Sequence, residues 1–259
     1  MISSTSNAQI KEIEKLQRKP KIRKETKTFV VEGKKMVEEA RERIVKVYIS
    51  ERYYEEGGLT TELATMHEYE VVTDKVFKEI SDTMTPQGIL AIVKMPEYTL
   101  EELLLNTKPN FILLEDLRDP GNLGTIMRTA EGAGVTGVIL SKDCVDLFNP
   151  KVVRATMGSI FRIPFVYVDD FEETLSFLQK RGVILYATHL KGVNDYDREN
   201  YADACGIIIG NEANGITQET ANRADCLVKI PMEGKVESLN AAIASGLMMY
   251  EVYRQRRVK

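Results

Sequence analysis

Asn122 and Arg128 lie in the stretch DPGNLGTIMRTA, Glu212 in GNEANG, and Ser238 and Asn240 in IPMEGKVESLN. A carboxamide, a guanidinium, a carboxylate and a hydroxyl are groups that orient a polar substrate and balance charge developing on it. The chain has 259 residues and only two histidines, His67 and His189, so neither a zinc site nor a histidine-centred triad is expected. The three cysteines, Cys144, Cys205 and Cys226, never form C-x-x-C and read as reduced, packed thiols. No metal is expected.

Close by is GAGVTG, Gly132 to Gly137, which spells G-x-G-x-x-G. A dinucleotide-binding turn must follow a strand and open a helix. This string does the reverse: it closes a helix begun near Gly124 and leads into the strand VTGVILS, so its glycines are expected at a helix end and a strand entry. DPGNLG has the required order, after FILLE and before GTIMRTAEGA. Pro120 and Gly121 suit a turn, and Asn122 is expected to cap the helix. At 100° per residue Ile126, Ala130 and Ala133 share the core face and Arg128 lies opposite. Arg128 is then either solvated and paired with Glu131 at i+3 or projected over the strand ends beside Asn122.

Three later loops have similar qualities: THLKG (Thr188–Gly192), GNEANG (Gly210–Gly215) and IPMEGKVESLN (Ile230–Asn240). Glycine there admits close approach of backbone to a flat ligand. No G-K-[S/T] follows the glycines, so a polyphosphate is not the expected ligand. The last loop offers apolar walls, backbone N–H groups and a helix N-terminus, with Ser238 as a natural cap.

The elements that must position these loops are α/β in pattern. NFILLE, VTGVILS, RIPFVYV, GVILYATH, CGIIIG and CLVKIP read as strands, separated by helical stretches and followed by a long final helix, SLNAAIASGLMMYEVYRQR. Apolar strands alternating with helices predict a mostly parallel sheet covered on both faces. Ligands of such sheets sit at the carboxyl ends of the strands. The first half reads as a small α/β domain. SNAQIKEIEKLQRK is helical, capped by Asn7 or Ser6, with Ile10, Ile13 and Leu16 or Gln17 on one side. FVVEG, VKVYIS, YEVVT and GILAIVKM are strands, and GKKMVEEARER and DKVFKEISD are helices. The expected division is 1–97, a linker over 98–109, and 110–259.

Charge is asymmetric. The net charge is −4, yet residues 1–35 hold ten Lys or Arg against four Glu. Lys11, Lys15, Arg18, Lys19, Lys21, Arg23 and Lys24 form a basic arm suited to nucleic acid. No apolar run is long enough to span a bilayer, and MISSTSNAQIKEIEKL has no apolar signal region. No membrane partner is expected, and the expected compartment is the cytoplasm.

DPGNLGTIMRTA, IIIGNEANGI and IPMEGKVESLNAA, in this order, resemble the three motifs of the SpoU/TrmH family of RNA ribose methyltransferases. The likeness runs from Asn110 to the C-terminus. FVVEGKKMVEEA and TPQGILAIV resemble the family's substrate-binding domain, a ribosomal-protein-like RNA-binding fold. ISSTSNAQIKEIEKLQRKPKIR is similar to members acting on ribosomal RNA, 23S above all, more than to the short members acting on tRNA. The resemblance implies a SPOUT domain with a deep trefoil knot, S-adenosylmethionine as cofactor, and a homodimer formed through the knotted domain. It assigns Gly210, Ile230 and Leu239 to the cofactor, with Thr188, Met232 and Asn240 nearby. It assigns Asn122, Arg128, Glu212, Ser238 and Asn240 to the polar catalytic set. The same motifs also accommodate a tRNA ribose methyltransferase, a base-nitrogen methyltransferase, a thiostrepton-type resistance enzyme, or a non-catalytic RNA-binding assembly factor. The intact polar set favours an enzyme.

Overall fold

A computed structural model describes residues 1–257, which form two compact units. The first comprises Met1–Pro96 together with Asp146–Phe161, and the second Glu97–Val145 with Arg162–Lys259.

In the first unit α1 (Ala8–Arg18) is followed by α2 (Pro20–Thr26), β1 (Thr28–Glu32), α3 (Lys34–Glu39), β2 (Ile44–Ser50), α4 (Glu51–Glu55), α5 (Thr61–Met66), β3 (Tyr69–Val72), α6 (Asp74–Ile80) and β4 (Ile89–Lys94). Asn7 caps α1 by accepting from the Gln9 N–H, and Ile10, Ile13 and Leu16 are buried, as the helical spacing predicts. The helix predicted over Gly33–Arg43 stops at Glu39 and continues as a 3-10 turn over Arg41–Arg43. The strands order β1-β4-β2-β3, antiparallel except for β2 with β3.

Strand β4 is an unbroken apolar run, ILAIV, because both its faces are covered. Leu90 and Ile92 pack with α1 and α6 residues on one face. On the neighbouring strand β1, Phe29 meets Phe148 and Phe161 from the distant segment 146–161, whose rings lie 4.8 and 6.0 Å from its own. The same segment explains Arg23, which is 1 % exposed. Its guanidinium donates to the Leu16 and Gln17 carbonyls at the end of α1 and to Asp146 Oδ2 at 2.5–3.0 Å. The carbonyls that a helix C-terminus leaves without partners are thereby satisfied.

The second unit contains α7 (Leu100–Leu103), β5 (Asn110–Leu114), α8 (Pro120–Gly132) and β6 (Gly137–Ser141). The chain then makes α9 (Pro150–Thr156), the helix of the segment that packs in the first unit, and returns as β7 (Phe165–Val168). It continues through α10 (Phe171–Lys180), β8 (Ile184–Thr188), β9 (Asn194–Asp195), β10 (Cys205–Ile209), α11 (Gln218–Arg223), β11 (Cys226–Lys229) and α12 (Ala241–Arg257). Every strand predicted in this half forms, and the two-residue β9 is an addition. The seven strands are all parallel, in the order β7-β6-β5-β10-β8-β11-β9. Tyr98, Leu100, Leu103 and Leu104 pack into this unit's core.

GAGVTG behaves as its position requires. Gly134 has a left-handed φ of 69° just past α8, the Val135 N–H returns to the Ala130 carbonyl and the Gly134 N–H to that of Glu131. That pattern is a Schellman helix end. None of the described helices is long and apolar enough to cross a membrane.

Replacing Arg23 by alanine strands Asp146 and two helix-end carbonyls in a buried setting. We expect a loss of about 3–5 kcal/mol of stability, read by urea denaturation; an unchanged midpoint would contradict this account of the arginine.

Candidate active site

Strand β5 has β6 on one side and β10 on the other, while the chain's next strands spread away in both directions. Parallel sheets open a crevice above such a switch point, at the strands' carboxyl ends. The loops after β5 and β10 meet there.

After β5 the chain turns sharply at Asp116, whose φ of 53° is left-handed. Its backbone is held on both sides: the N–H donates to Ser141 Oγ at 3.0 Å, and the carbonyl accepts from Asn211 Nδ2 at 2.8 Å. Asp116 also forms an ion pair with Arg118. Asp119 caps α8 by accepting from the Asn122 N–H at 2.7 Å, with Pro120 in the first turn. The cap is therefore Asp119 and not Asn122. The Asp-Pro pair carried that signal, because proline pre-sets the first helical position and the aspartate before it supplies the acceptor.

Relieved of capping, Asn122 is buried inside the first turn and faces its neighbours with its side chain. Nδ2 donates to Glu212 Oε1 at 3.0 Å, and Oδ1 accepts from Asn240 Nδ2 at 2.9 Å. Glu212 also accepts from the backbone N–H groups of Arg118, at 3.1 Å, and Asp119, at 2.8 Å. Asn240 Oδ1 in turn accepts from the Ala242 and Ile243 N–H groups, at 2.9 and 3.3 Å. Asn240 thus caps α12, two residues later than the predicted cap Ser238. A single hydrogen-bonded chain, Glu212–Asn122–Asn240, ties the loops after β5, β10 and β11 together.

Burial pushes the Glu212 carboxyl up, but the donors Arg118 N–H, Asn122 Nδ2 and Asp119 N–H outweigh it and leave it below the ordinary value of 4.5.

The other polar candidates stay outside this chain. Arg128 is exposed and pairs with no described residue; Glu131 binds Arg162, at 2.8 Å, so the i+3 pair, one of the two alternatives for Arg128, does not form. Ser238 is exposed on the approach to α12. Of the residues assigned to a cofactor, Thr188 is half-buried and donates to the Ile208 carbonyl at 3.3 Å. Gly210 is buried against its own loop, where a Cβ would stand 2.1 Å from the Gly215 carbonyl carbon. Ile230, Met232 and Leu239 are half-buried. Their loops follow β8, β10 and β11, which are adjacent in the sheet. Three half-buried apolar side chains and a glycine-bearing loop thus follow neighbouring strands.

In the first unit, Lys15, Arg18, Lys19 and Lys24 are exposed. Lys11 is paired with Glu14 at 2.8 Å and Lys21 lies 3.8 Å from Glu25. Arg23 leaves the nucleic-acid set, because its guanidinium is buried and consumed by Asp146 and helix carbonyls.

The profile of the SpoU rRNA Methylase family matches residues 109–250, and that of the MRM3-like substrate binding domain matches residues 7–91. The chain belongs to the SpoU rRNA methylase family. It is 34% identical to the 23S rRNA (guanosine(2553)-2′-O)-methyltransferase RlmP of Bacillus subtilis, over 97% of this chain and 98% of that protein. An AdoMet-bound rRNA methyltransferase from Sinorhizobium meliloti superposes with a TM-score of 0.87 at 34% identity, over 98% of this chain and 97% of that one. The SpoU methyltransferase AviRb from Streptomyces viridochromogenes, in complex with AdoMet, gives 0.88 at 26% identity, over 97% and 99%. The SpoU motifs and the α/β architecture read from the sequence are those of the fold.

A depressed carboxyl contributes its interactions fully above the ordinary value and loses them as pH falls through the lower folded value. The Arg118 and Asp119 amide resonances are expected to move together in an acid titration, with a midpoint below 4.5. A midpoint at or above that value, or no movement, would show that Glu212 does not hold this loop.

Proposed function

We propose that the chain transfers a methyl group from S-adenosylmethionine to a ribose 2′-hydroxyl of 23S ribosomal RNA. The observation that carries this reading is the Glu212–Asn122–Asn240 chain at the switch point of a SpoU-family sheet. Correspondence with the Bacillus subtilis enzyme along both units supports the choice of 23S RNA. A ribosomal RNA substrate makes the cytoplasm the compartment of the proposed activity.

Gly210, Ile230 and Leu239, with Thr188 and Met232 nearby, would hold the cofactor. S-adenosylmethionine supplies there a methyl group already activated on a sulfonium. A ribose hydroxyl is a poor nucleophile, so the chain must place it and ease loss of its proton. Placement contributes roughly 7–11 kcal/mol when geometry is good, and proton help about 10²–10⁴-fold. Asn122 uses one amide hydrogen on Glu212 and one lone pair for Asn240. One hydrogen and one lone pair remain, which match a hydroxyl's acceptor and donor. The Arg128 guanidinium, without a partner among the described residues, is free to meet the neighbouring phosphate and the oxygen as it becomes anionic. Ser238 offers a further unpaired hydroxyl. Exposed Lys15, Arg18, Lys19 and Lys24 would hold more distant phosphates.

The proposal includes the trefoil knot of the family; in support, β10 inserts between β5 and β8, strands that precede it in the chain. It also includes a homodimer. Ile243, Leu247 and Tyr250 form an exposed stripe at i, i+4, i+7 on α12, whose other side packs on α8 and β10.

Arg128→Ala is expected to lower methyl transfer to 23S RNA by about 10²–10³-fold while cofactor binding, measured by calorimetry, is kept. Wild-type turnover in a folded R128A protein would remove the arginine from the reaction. Mapping 2′-O-methyl groups in ribosomal RNA with and without the gene tests the substrate; no lost position in 23S RNA would refute it. Leu247→Glu is expected to convert a sedimenting dimer to monomer. A wild-type monomer at micromolar concentration would end the dimer proposal.

A further inference from the structure

Glu115 is a buried acid that the reading above leaves without a task. It directly follows β5 and is 8 % exposed. Its carboxylate accepts the Thr217 N–H at 2.9 Å, the Thr217 hydroxyl at 2.7 Å and the Thr220 hydroxyl at 2.6 Å. Thr217 caps α11 and Thr220 lies in its first turn. The acid therefore reaches out of the strand that leads into the Asn122 loop and grips the helix that follows the Gly210 loop.

Between those anchors the Gly210 loop is a closed ring. Asn211 and Gly215 exchange both backbone hydrogen bonds at 2.9 Å, and Gly210 fits only because it lacks a Cβ. Such a ring moves as one piece. One end continues β10, where the Glu115 N–H donates to the Ile209 carbonyl at 2.9 Å. The other end runs into Thr217, held by the Glu115 side chain. Glu212 projects from the ring onto Asn122. Residue 115 thus touches both ends of the ring that carries both Gly210 and Glu212.

We propose that Glu115 is a positioning residue for the methyl-transfer site: it fixes where the Gly210–Ile216 ring stands, and through Glu212 how Asn122 is aimed. This rests on the reading that the ring borders the S-adenosylmethionine site. Its action is geometric. Three donors need a planar group with two oxygen-sized positions at this height, and charge-assisted bonds hold them short.

The full chain is compared with Glu115→Ala, Glu115→Gln and the Thr217→Val/Thr220→Val double variant, at a temperature where circular dichroism shows all four folded. E115A and the double variant are expected to weaken S-adenosylmethionine binding about tenfold and to lower kcat, with KM for RNA unchanged. E115Q is expected to recover most of the loss, since its oxygen still accepts the Thr217 N–H and its NH₂ meets hydroxyls free to rotate. A purely structural acid would lower Tm while leaving Kd and kcat of the folded protein at wild-type values, which overturns the proposal. So does E115Q behaving like E115A. Should E115A not fold, the double variant carries the same test. Wild-type protein that fails to bind S-adenosylmethionine refutes the cofactor reading instead; amide exchange of Asn211 and Gly215 then decides for Glu115, and rates equal to wild type in the double variant overturn it.

Discussion

The Glu212 carboxylate gathers the backbone N–H groups of Arg118 and Asp119 and the amide of Asn122 onto two oxygens. The residues it joins are about ninety positions apart in the chain. An isolated surface carboxylate would contribute little to stability, and Glu212 stands at the rim. Its consequence is geometric. The β5 loop leaves its strand through a left-handed aspartate, a conformation that persists only where its surroundings determine it. Glu212 and Asn211 supply those surroundings from the neighbouring loop. Asn122 then passes the constraint to Asn240 and so to the first N–H groups of α12. Remove the carboxylate, and the Arg118 and Asp119 N–H groups and the Asn122 amide lose their shared acceptor.

That arrangement depends on a sheet whose order departs from the chain's. Strand β10 joins β5 at the point where earlier strands have spread to one side, and β8 and β11 follow on the other. Parallel pairing sends every strand end the same way, so loops made late in the chain meet one made early. The sheet can do this because its central strands β5, β6 and β10 are mostly apolar and buried along their whole length. The first unit uses the same device by borrowing. Strand β1, paired with the ILAIV strand, receives cover from residues 146–161, which set two phenylalanines against Phe29.

Much of this was legible in the sequence, for reasons that differ from residue to residue. Most strands of the second unit are short, largely apolar runs, and their signal is local. Gly134 was legible because a helix end of this kind demands a left-handed residue. Asn122, Glu212 and Asn240 were singled out by resemblance to family motifs, but what joins them was hidden: a hydrogen bond spanning ninety residues leaves no periodicity. The caps were misread for a simpler reason. Asn122 and Ser238 are good capping types, and so are Asp119 and Asn240 beside them. Only the position of the first helical turn decides between such neighbours. Arg23 was counted as a phosphate ligand because its neighbours in sequence are basic and exposed. Its partner Asp146 lies 123 positions away, beyond any local pattern.

The site separates its polar groups into those already committed and those left free. Asn122, Glu212 and Asn240 satisfy one another, and for the buried Asn122 this matters most, since an unpaired amide away from water is costly. Arg128 and Ser238 stay in solvent, where an unpaired charge or hydroxyl costs nothing. An arginine held by a protein carboxylate would have to give up that partner when a phosphate arrived. One left in water exchanges hydration for a phosphate oxygen, and expulsion of water on binding then strengthens the contact. On the proposed reaction, the committed groups would fix geometry before the substrate enters and leave little ordering for the moment of reaction. In that proposed reaction the free groups would place their interaction energy where charge appears, on the nucleophile and its phosphate. A carboxylate standing beside Arg128 would oppose that division, and the one available three residues on, Glu131, is held by Arg162.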